Sequence, residues 1–245
     1  MFLHCKLATL MLILTLDCRV HTGEIIGGHE AEAHSRPHMV LLERHMDGGH
    51  KTYCGGFLLN EEFVMTAAHC HAKSYQVILG LHNFNTKKDI QRVSVGRTFP
   101  HKGYNRSDFK DDIMLLQLSA KANINNNVKP IALADQGDDS LPKPCSVAGW
   151  GQTELNKYLS HKLMEVSVAL IDNKMCTERN MYCSEGKTGP GNGDSGGPLV
   201  CGDEKAYGVV AVNIIKERQP TLYVYTKIPN NRDWIDCIMK HDENC

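Results

Sequence analysis

The sequence has little net charge of either sign and no internal repeat. Its 245 residues include 27 Lys or Arg and 28 Asp or Glu, so the formal net charge is −1. This balance provides no strong basic field that would attract nucleic acid or an anionic membrane surface. The apolar and charged fractions are those of an ordinary globular protein, which excludes a disordered chain.

Long hydrophobic runs are also missing, apart from one near the start. The run Leu7–Leu16 follows Lys6 and is too short to cross a bilayer as a helix. A charged residue followed by a short apolar run is typical of a secretory signal. Residues 1–22 are therefore predicted to be a signal peptide, no membrane span is predicted, and the protein is expected to be secreted or stored in granules.

Cysteine pairs with the spacing of zinc sites are absent as well, so neither a metal nor another cofactor is predicted. The adjacent residues His69, Cys70 and His71 are not interpreted as ligands, because neighbouring residues rarely converge on one ion. Removal of the signal peptide takes away Cys5 and Cys18 and leaves an even number of cysteines, which suits an oxidising compartment. These are Cys54, Cys70, Cys145, Cys176, Cys183, Cys201, Cys237 and Cys245.

Beyond residue 25 the apolar residues occur in short runs that turn-forming residues separate. Runs of this length predict strands in PHMVLLE, YQVILGLH, DDIMLLQL, CSVAGWG, LMEVSVALI, GPLVC, YGVVAVNI and TLYVYTKI. Many short strands predict an all-β fold of the barrel or sandwich type. The polar stretch at 121–143 predicts the connection between two halves.

One amphipathic helix is predicted at the end of the chain. Pro229, Asn230 and Asn231 offer a start and a side-chain cap. The apolar residues that follow fall on one helical face. They are Trp234, Ile235, Ile238 and Met239.

Three motifs contain residues that could hydrolyse an amide bond. A serine hydroxyl is a poor nucleophile until a positioned base takes its proton, and the base in turn needs an orienting carboxylate. TAAHC contains His69, DDIMLLQL contains Asp112, and GDSGGPL contains Ser195. Their order along the chain, His, Asp and then Ser, is that of the chymotrypsin-like template.

The chain resembles the trypsin/chymotrypsin-fold serine peptidases, and in particular the granzyme and mast-cell protease branch. The matching motifs, in order, are IIGGHEAEAHSRPHMV, CGGFLLN, VMTAAHC, DDIMLLQL, SVAGWG and GNGDSGGPLVC. The resemblance implies two six-stranded antiparallel β-barrels, a C-terminal helix, and an active site in the cleft between the barrels. It assigns residues 25–245 to one peptidase domain that acts on protein or peptide substrates.

The resemblance also implies a role for each matched residue. His69 would be the general base, Asp112 its orienting partner and Ser195 the nucleophile, whereas the neighbouring Asp111 is interpreted as solvated. The backbone N–H groups of Gly193 and Ser195 would form the oxyanion hole.

Activation by cleavage is implied in the same way. Ile25 would become the new N-terminus, and its ammonium group would pair with Asp194. The preceding residues 23–24 are Gly and Glu rather than the Arg or Lys that a tryptic activator needs. This dipeptide resembles the one that a dipeptidyl peptidase removes from granule proteases. A signal peptide cut directly before Ile25 is the alternative.

The disulfides implied by the resemblance are Cys54–Cys70, Cys145–Cys201 and Cys176–Cys183. Cys237 and Cys245 have no family partner, so they could pair with each other, stay free or link two chains. One glycosylation sequon occurs at Asn105.

The substrate pocket departs from the family pattern. Gly189 lies at the floor, where trypsin-like members carry Asp, and Ala211 replaces a serine that helps to hold the catalytic aspartate. Val212 replaces an aromatic residue of the cleft, and Asn213 replaces a glycine. The predicted pocket residues are Gly189, Pro190, Asn192, Ala211, Val212, Asn213 and Tyr223.

These departures predict a selective enzyme. Tyr223 falls on the back wall of the pocket, although a shift of one residue would place Thr221 or Leu222 there. The absence of a carboxylate excludes cleavage after Arg or Lys, and an uncharged, shortened pocket favours small or medium apolar residues. The alternative is a protease-fold effector or binding protein with an obstructed cleft and little turnover.

Overall fold

A computed structural model describes residues 25–86, 88–137, 141–152, 158–202, 204–215, 217–240 and 245. The predicted signal peptide and the activation dipeptide lie outside the described residues. The chain forms fourteen strands and two α-helices within those ranges. The strands are β1 (His29–Glu30), β2 (Met39–His45), β3 (Lys51–Leu58), β4 (Phe63–Thr66), β5 (Ser74–Leu79), β6 (Gln91–Pro100), β7 (Met114–Leu118), β8 (Cys145–Gly149), β9 (Met164–Val168), β10 (Leu170–Ile171), β11 (Met181–Gly186), β12 (Pro198–Cys201), β13 (Lys205–Ile214) and β14 (Thr221–Lys227). The helices are α1 (Lys174–Glu178) and α2 (Arg232–Met239).

The first half of the chain is a closed six-stranded barrel in the order β2-β3-β4-β7-β6-β5. All of its strand pairs are antiparallel. The buried side chains of β2, β4 and β7 supply much of its core. The predicted all-β fold with a barrel in the first half is therefore confirmed.

The second half is an eight-stranded sheet in the order β1-β9-β8-β12-β13-β14-β11-β10. Six of these strands have four residues or more, and a two-residue strand is added at each edge. The edge strand β1 precedes the barrel in sequence but pairs with β9, so the segment after Ile25 is attached to the second half. The sheet thus has two short edge strands in addition to the six strands that were predicted.

Helix α2 packs back onto the barrel through its apolar face. Ile235 and Ile238 are buried in the same cluster as barrel residues, and Trp234 and Met239 are partly buried against it. Burial of each isoleucine contributes roughly 1.5–3 kcal/mol. The predicted side-chain cap is wrong: the Asn231 amide donates a hydrogen bond to the Lys227 carbonyl at 2.6 Å instead of accepting one from the helix.

Candidate active site

The ends of two paired strands bring His69 and Asp112 together. β4 and β7 are antiparallel, with Thr66 opposite Met114. His69 lies just after β4, in a 3-10 turn over Ala68–Cys70, and Asp112 lies just before β7. A residue that follows one strand and a residue that precedes its antiparallel neighbour lie at the same end of the strand pair. The pairing therefore makes neighbours of two residues that are distant in sequence.

The Asp112 carboxylate holds His69 through both of its oxygen atoms. Asp112 is fully buried. Its Oδ2 lies 2.6 Å from His69 Nδ1, and its Oδ1 accepts the backbone N–H of His69 at 2.8 Å. A carboxylate at Nδ1 favours the tautomer that is protonated there, which leaves Nε2 with a free lone pair. His69 is thus oriented as a base.

A close approach between the two halves of the fold positions Ser195. The Gly55 N–H in β3 donates to the Ser195 carbonyl at 2.8 Å, and the Gly196 N–H donates to the Val210 carbonyl at 2.8 Å. Gly196 has φ +86°, and a Cβ there would lie 2.1 Å from Thr66 Oγ1. Glycine is therefore required for the serine loop to reach the barrel. Ser195 and His69 line one cavity of about 410 Å³.

Two N–H groups of the serine loop are free to bind a substrate oxygen. Asp194, Gly196 and Gly197 each donate to a backbone carbonyl. In the described part of the chain, no group accepts a hydrogen bond from the N–H of Gly193 or Ser195. Gly193 has φ +102°, a conformation that glycine adopts readily. Preorganised N–H donors of this kind stabilise a developing oxyanion.

The Asp194 carboxylate is buried between glycine residues. It accepts the N–H of Gly151 at 2.6 Å and the N–H of Gly191 at 2.8 Å. Burial raises the pKa of Asp194 to about 7, although both hydrogen bonds oppose this shift. Ile25 is fully buried in the core of the second half, and the structure gives the carboxylate these two N–H partners rather than Ile25.

Four disulfides are present among the described cysteines: Cys54–Cys70, Cys145–Cys201, Cys176–Cys183 and Cys237–Cys245. The first ties the turn that carries His69 to β3. Its sulfur atoms lie near His69, but sulfurs that are bonded to each other are not thiolate ligands. The last pair joins the two cysteines that the resemblance left without partners.

An aromatic ring lies against Gly189, the predicted floor of the primary pocket. Tyr223 lies opposite Asn213 on β13 and Ser184 on β11, and it is buried. A Cβ on Gly189 would lie 2.6 Å from Cζ of the Tyr223 ring. The register thus places Tyr223, rather than its neighbours in sequence, against the floor glycine.

A hydrogen bond crosses between the two walls of the same pocket. The Asn213 amide in β13 donates to the Pro190 carbonyl at 2.7 Å. A glycine at this position would lack this hydrogen bond.

Other predicted residues also lie at the cleft. Asn192 is exposed, and its amide donates to Gln152 Oε1 at 3.3 Å. Asn192, Ala211, Val212 and Asn213 line the cavity that contains Ser195. In the loop after β13, Arg218 is exposed with φ +61°, and Lys216 lies outside the described residues.

The comparisons with known proteins agree with this arrangement. Residues 25–235 match the family described as Trypsin. The chain belongs to the trypsin family. It is similar to granzyme E of Mus musculus (39% identity; 94% of this chain and 97% of the relative), chymase of Canis lupus familiaris (38%; 98% and 100%) and granzyme B of Homo sapiens (41%; 94% and 97%). A solved structure titled "Structure of GrC" matches with a TM-score of 0.78 and 34% identity over 89% of this chain and 100% of that chain.

The predicted family is thereby confirmed, and the chain is a chymotrypsin-like serine endopeptidase of the granzyme and chymase type. Its substrates are proteins or peptides. No helix within the described ranges is long and apolar enough to span a membrane.

One prediction about a residue next to the site of this trypsin-family chain was wrong. Asp111 was expected to be solvated, but it is half-buried, and its Oδ2 lies 3.9 Å from His101 Nδ1. The cause is the backbone, since positive φ values at Phe109 (+57°) and Asp111 (+52°) turn the loop back on itself. Such values are uncommon outside glycine and mark a conformation that the surrounding fold imposes.

Sequence reasoning missed two residues of the site. The buried hydroxyl of Thr226 donates to the main-chain carbonyl of Asp112 at 3.2 Å. The Phe109 ring meets the His69 ring edge-on at 6.2 Å between centroids. Phe109 also lines three cavities: the one with Ser195, one with Arg106, and one with Met175. A polar residue in an apolar strand was the only signal for Thr226, and nothing in the local sequence indicated Phe109.

Proposed function

We propose that this endopeptidase hydrolyses peptide bonds through a triad of His69, Asp112 and Ser195. The main support for this proposal is the pair of contacts between the Asp112 carboxylate and His69, at 2.6 Å to Nδ1 and 2.8 Å to the backbone nitrogen. His69 Nε2 takes the proton of Ser195 Oγ as Oγ attacks the scissile carbonyl carbon. The N–H groups of Gly193 and Ser195 then hold the oxyanion. Collapse expels the amine, which takes the proton from His69, and water hydrolyses the acyl-enzyme by the same steps.

A second candidate is an effector or binding protein with an obstructed cleft. The Asn213–Pro190 hydrogen bond and the Tyr223 ring over Gly189 favour it. A fluorophosphonate probe and a peptide library, both applied to protein that begins at Ile25, separate the two candidates. Covalent labelling at Ser195, together with turnover of a peptide library, supports the enzyme. Labelling without turnover of any peptide would support the effector.

We further propose that removal of residues 23–24 activates the protein. The ammonium group of Ile25 would then become available to the buried carboxylate of Asp194, and a dipeptidyl peptidase is the activating partner. Together with the predicted signal peptide, this dipeptide supports secretion and storage in granules. Asn105 is exposed in a loop, in keeping with the predicted glycosylation.

The primary specificity is expected to exclude Arg and Lys. A cationic side chain would be buried without a carboxylate, because neither 187–193 nor 208–216 contains Asp or Glu. We expect Leu, Met or Val to be preferred over Arg and Lys by at least about a hundredfold in kcat/KM. A positional-scanning library measures this. A dominant preference for Arg or Lys would refute the floor assignment, and one for Asp would implicate Arg218 or Lys216.

The contribution of Asn213 can be tested separately. Asn213→Gly removes the hydrogen bond to Pro190, so we expect kcat/KM for Phe substrates to rise roughly tenfold relative to Leu substrates. Asn126→Gly is the matched control, because Asn126 is exposed and lies outside the cleft. An unchanged ratio of Phe to Leu cleavage would mean that Asn213 does not restrict the pocket.

A further inference from the structure

A second cavity, of about 470 Å³, adjoins the catalytic cleft. His69 and Phe109 line both spaces. A peptide whose scissile carbonyl lies at Ser195 can therefore place a nearby side chain in the second cavity. This inference rests on the proposed peptidase function, and it concerns a position other than the residue in the primary pocket.

The ionisable groups that line this second cavity include no carboxylate. They are His69, His71, Tyr104 and Arg106. Arg106 and His71 are exposed to solvent. Among the described residues, no carboxylate lies within 4 Å of the Arg106 guanidinium group. The Asp112 carboxylate is fully buried and accepts its hydrogen bonds from His69, not from Arg106. The cavity therefore presents the Arg106 cation without an ion-pair partner among the described residues.

A second residue of the cavity, Tyr104, does not add a donor to it. Its hydroxyl oxygen is shielded from solvent, so a carboxylate oxygen, which is as large as a water molecule, does not reach it. Burial, and then the charge of Asp112, raises the pKa of Tyr104, so the residue is uncharged at neutral pH. Arg106 is therefore the group of this cavity that can pair with an anion.

We propose that this cavity binds an acidic side chain of the substrate, with Arg106 as its charge partner. The planar guanidinium group matches the two oxygens of a carboxylate. The Phe109 ring and the Met46 side chain, which also line the cavity, offer apolar contact to the methylene groups of Glu. Glu and Asp are thus bound in preference to Gln and Asn.

The test compares paired peptides on protein that begins at Ile25. A fluorophosphonate first titrates the active sites. Peptides with a fixed primary residue then carry Glu or Gln at each other position in turn, at physiological salt. We expect one position at which Glu raises kcat/KM roughly five- to tenfold over Gln, a modest factor because the cation is exposed. High salt reduces this factor.

Two variants and a control assign the effect. Arg106→Gln brings the Glu/Gln ratio close to one, whereas Tyr104→Phe leaves it in place, because the Tyr104 oxygen is shielded from the cavity. Lys110→Gln removes a positive charge from the same loop but does not touch the cavity, so it leaves the ratio in place. Absence of a Glu preference at every position, or a preference that survives Arg106→Gln, would overturn the proposal.

A binding measurement separates this proposal from the proposed catalysis. Ser195→Ala protein is titrated with the same labelled Glu and Gln peptides and followed by fluorescence anisotropy. Tighter binding of the Glu peptide that Arg106→Gln abolishes supports the cavity, even if the unmodified protein turns over no peptide. Equal binding of both peptides counts against the cavity, whether or not the protein is an active enzyme.

Discussion

Ser195→Ala is expected to reduce peptide hydrolysis by roughly 10⁴- to 10⁶-fold. The substitution removes the nucleophile but keeps the main-chain carbonyl that accepts the Gly55 N–H, so the fold should remain intact. His69→Ala should cost a similar factor. The double variant should be no worse than either single one, because the two side chains act as a unit. The measurement is kcat/KM on the best library peptide, with the melting temperature as the control for folding.

Two results would contradict the assignment. Substantial turnover by Ser195→Ala protein, after removal of any contaminating protease, would exclude Ser195 as the nucleophile. Additive losses in the double variant would show that His69 does not act through Ser195.

Removal of Gly23 and Glu24 is the second change with a large expected effect. Protein that begins at Ile25 should hydrolyse peptides, and the precursor should be silent. The new ammonium group favours the ionised form of Asp194 and makes up for the cost of burying that charge. Activity and fluorophosphonate labelling of both forms measure this directly. Equal activity of the two forms would rule the mechanism out.

The contacts of Asp194 predict that stability is lost over different pH ranges in the two forms. In the precursor, burial raises the pKa of Asp194 from 3.8 to about 7. The stabilising contribution is thus full below pH 3.8 and is lost as the pH rises through 7, a loss of roughly 4 kcal/mol. In the processed form, the Ile25 ammonium group should have a pKa above its unfolded value of about 7.7–8.0. Its contribution is full below that value and is lost above the folded pKa.

Asp194→Asn distinguishes the two cases. In the precursor, this variant should flatten the dependence of unfolding free energy on pH between about 4 and 7, because the residue no longer titrates. In the processed form, it should abolish activity, since the ammonium group loses its partner. Activity is measured with Ser195 intact, whereas chemical denaturation of both forms uses a Ser195→Ala background to avoid autolysis. A precursor whose pH dependence is unchanged by Asp194→Asn would show that the carboxylate is not buried without a cation.

The strands that could be predicted are those with continuous apolar runs, such as Met39–Leu42 and Met114–Leu116. Such a run can be recognised from adjacent residues alone. β3 was missed, since Gly55 and Gly56 are poor strand formers. They are needed there because a Cβ on Gly55 would lie 3.1 Å from the Gly197 nitrogen, and one on Gly56 would lie 2.9 Å from the Met65 carbonyl. β6 was missed because all ten of its residues are exposed or only half-buried.

The motifs allowed the triad residues to be proposed, but they could not describe the pocket. The Asn213–Pro190 contact joins segments 23 residues apart, and the Tyr223 ring reaches Gly189 from another strand. Both depend on the register of β13 and β14, which a local pattern cannot fix to one residue. The cavity with Arg106 could not be predicted either, because the loop before β7 and the turn after β4 form it together.

The Phe109 ring has a consequence for how selectivity can be measured and changed. Since it lines three cavities, we expect the preferences of those cavities to be coupled rather than independent. The best residue at one substrate position would then depend on the residues at the neighbouring positions. Substitutions at Phe109 should give non-additive energies with those at Arg106 or Met175. A change in the substrate selectivity of this enzyme would therefore require several substitutions together around Phe109.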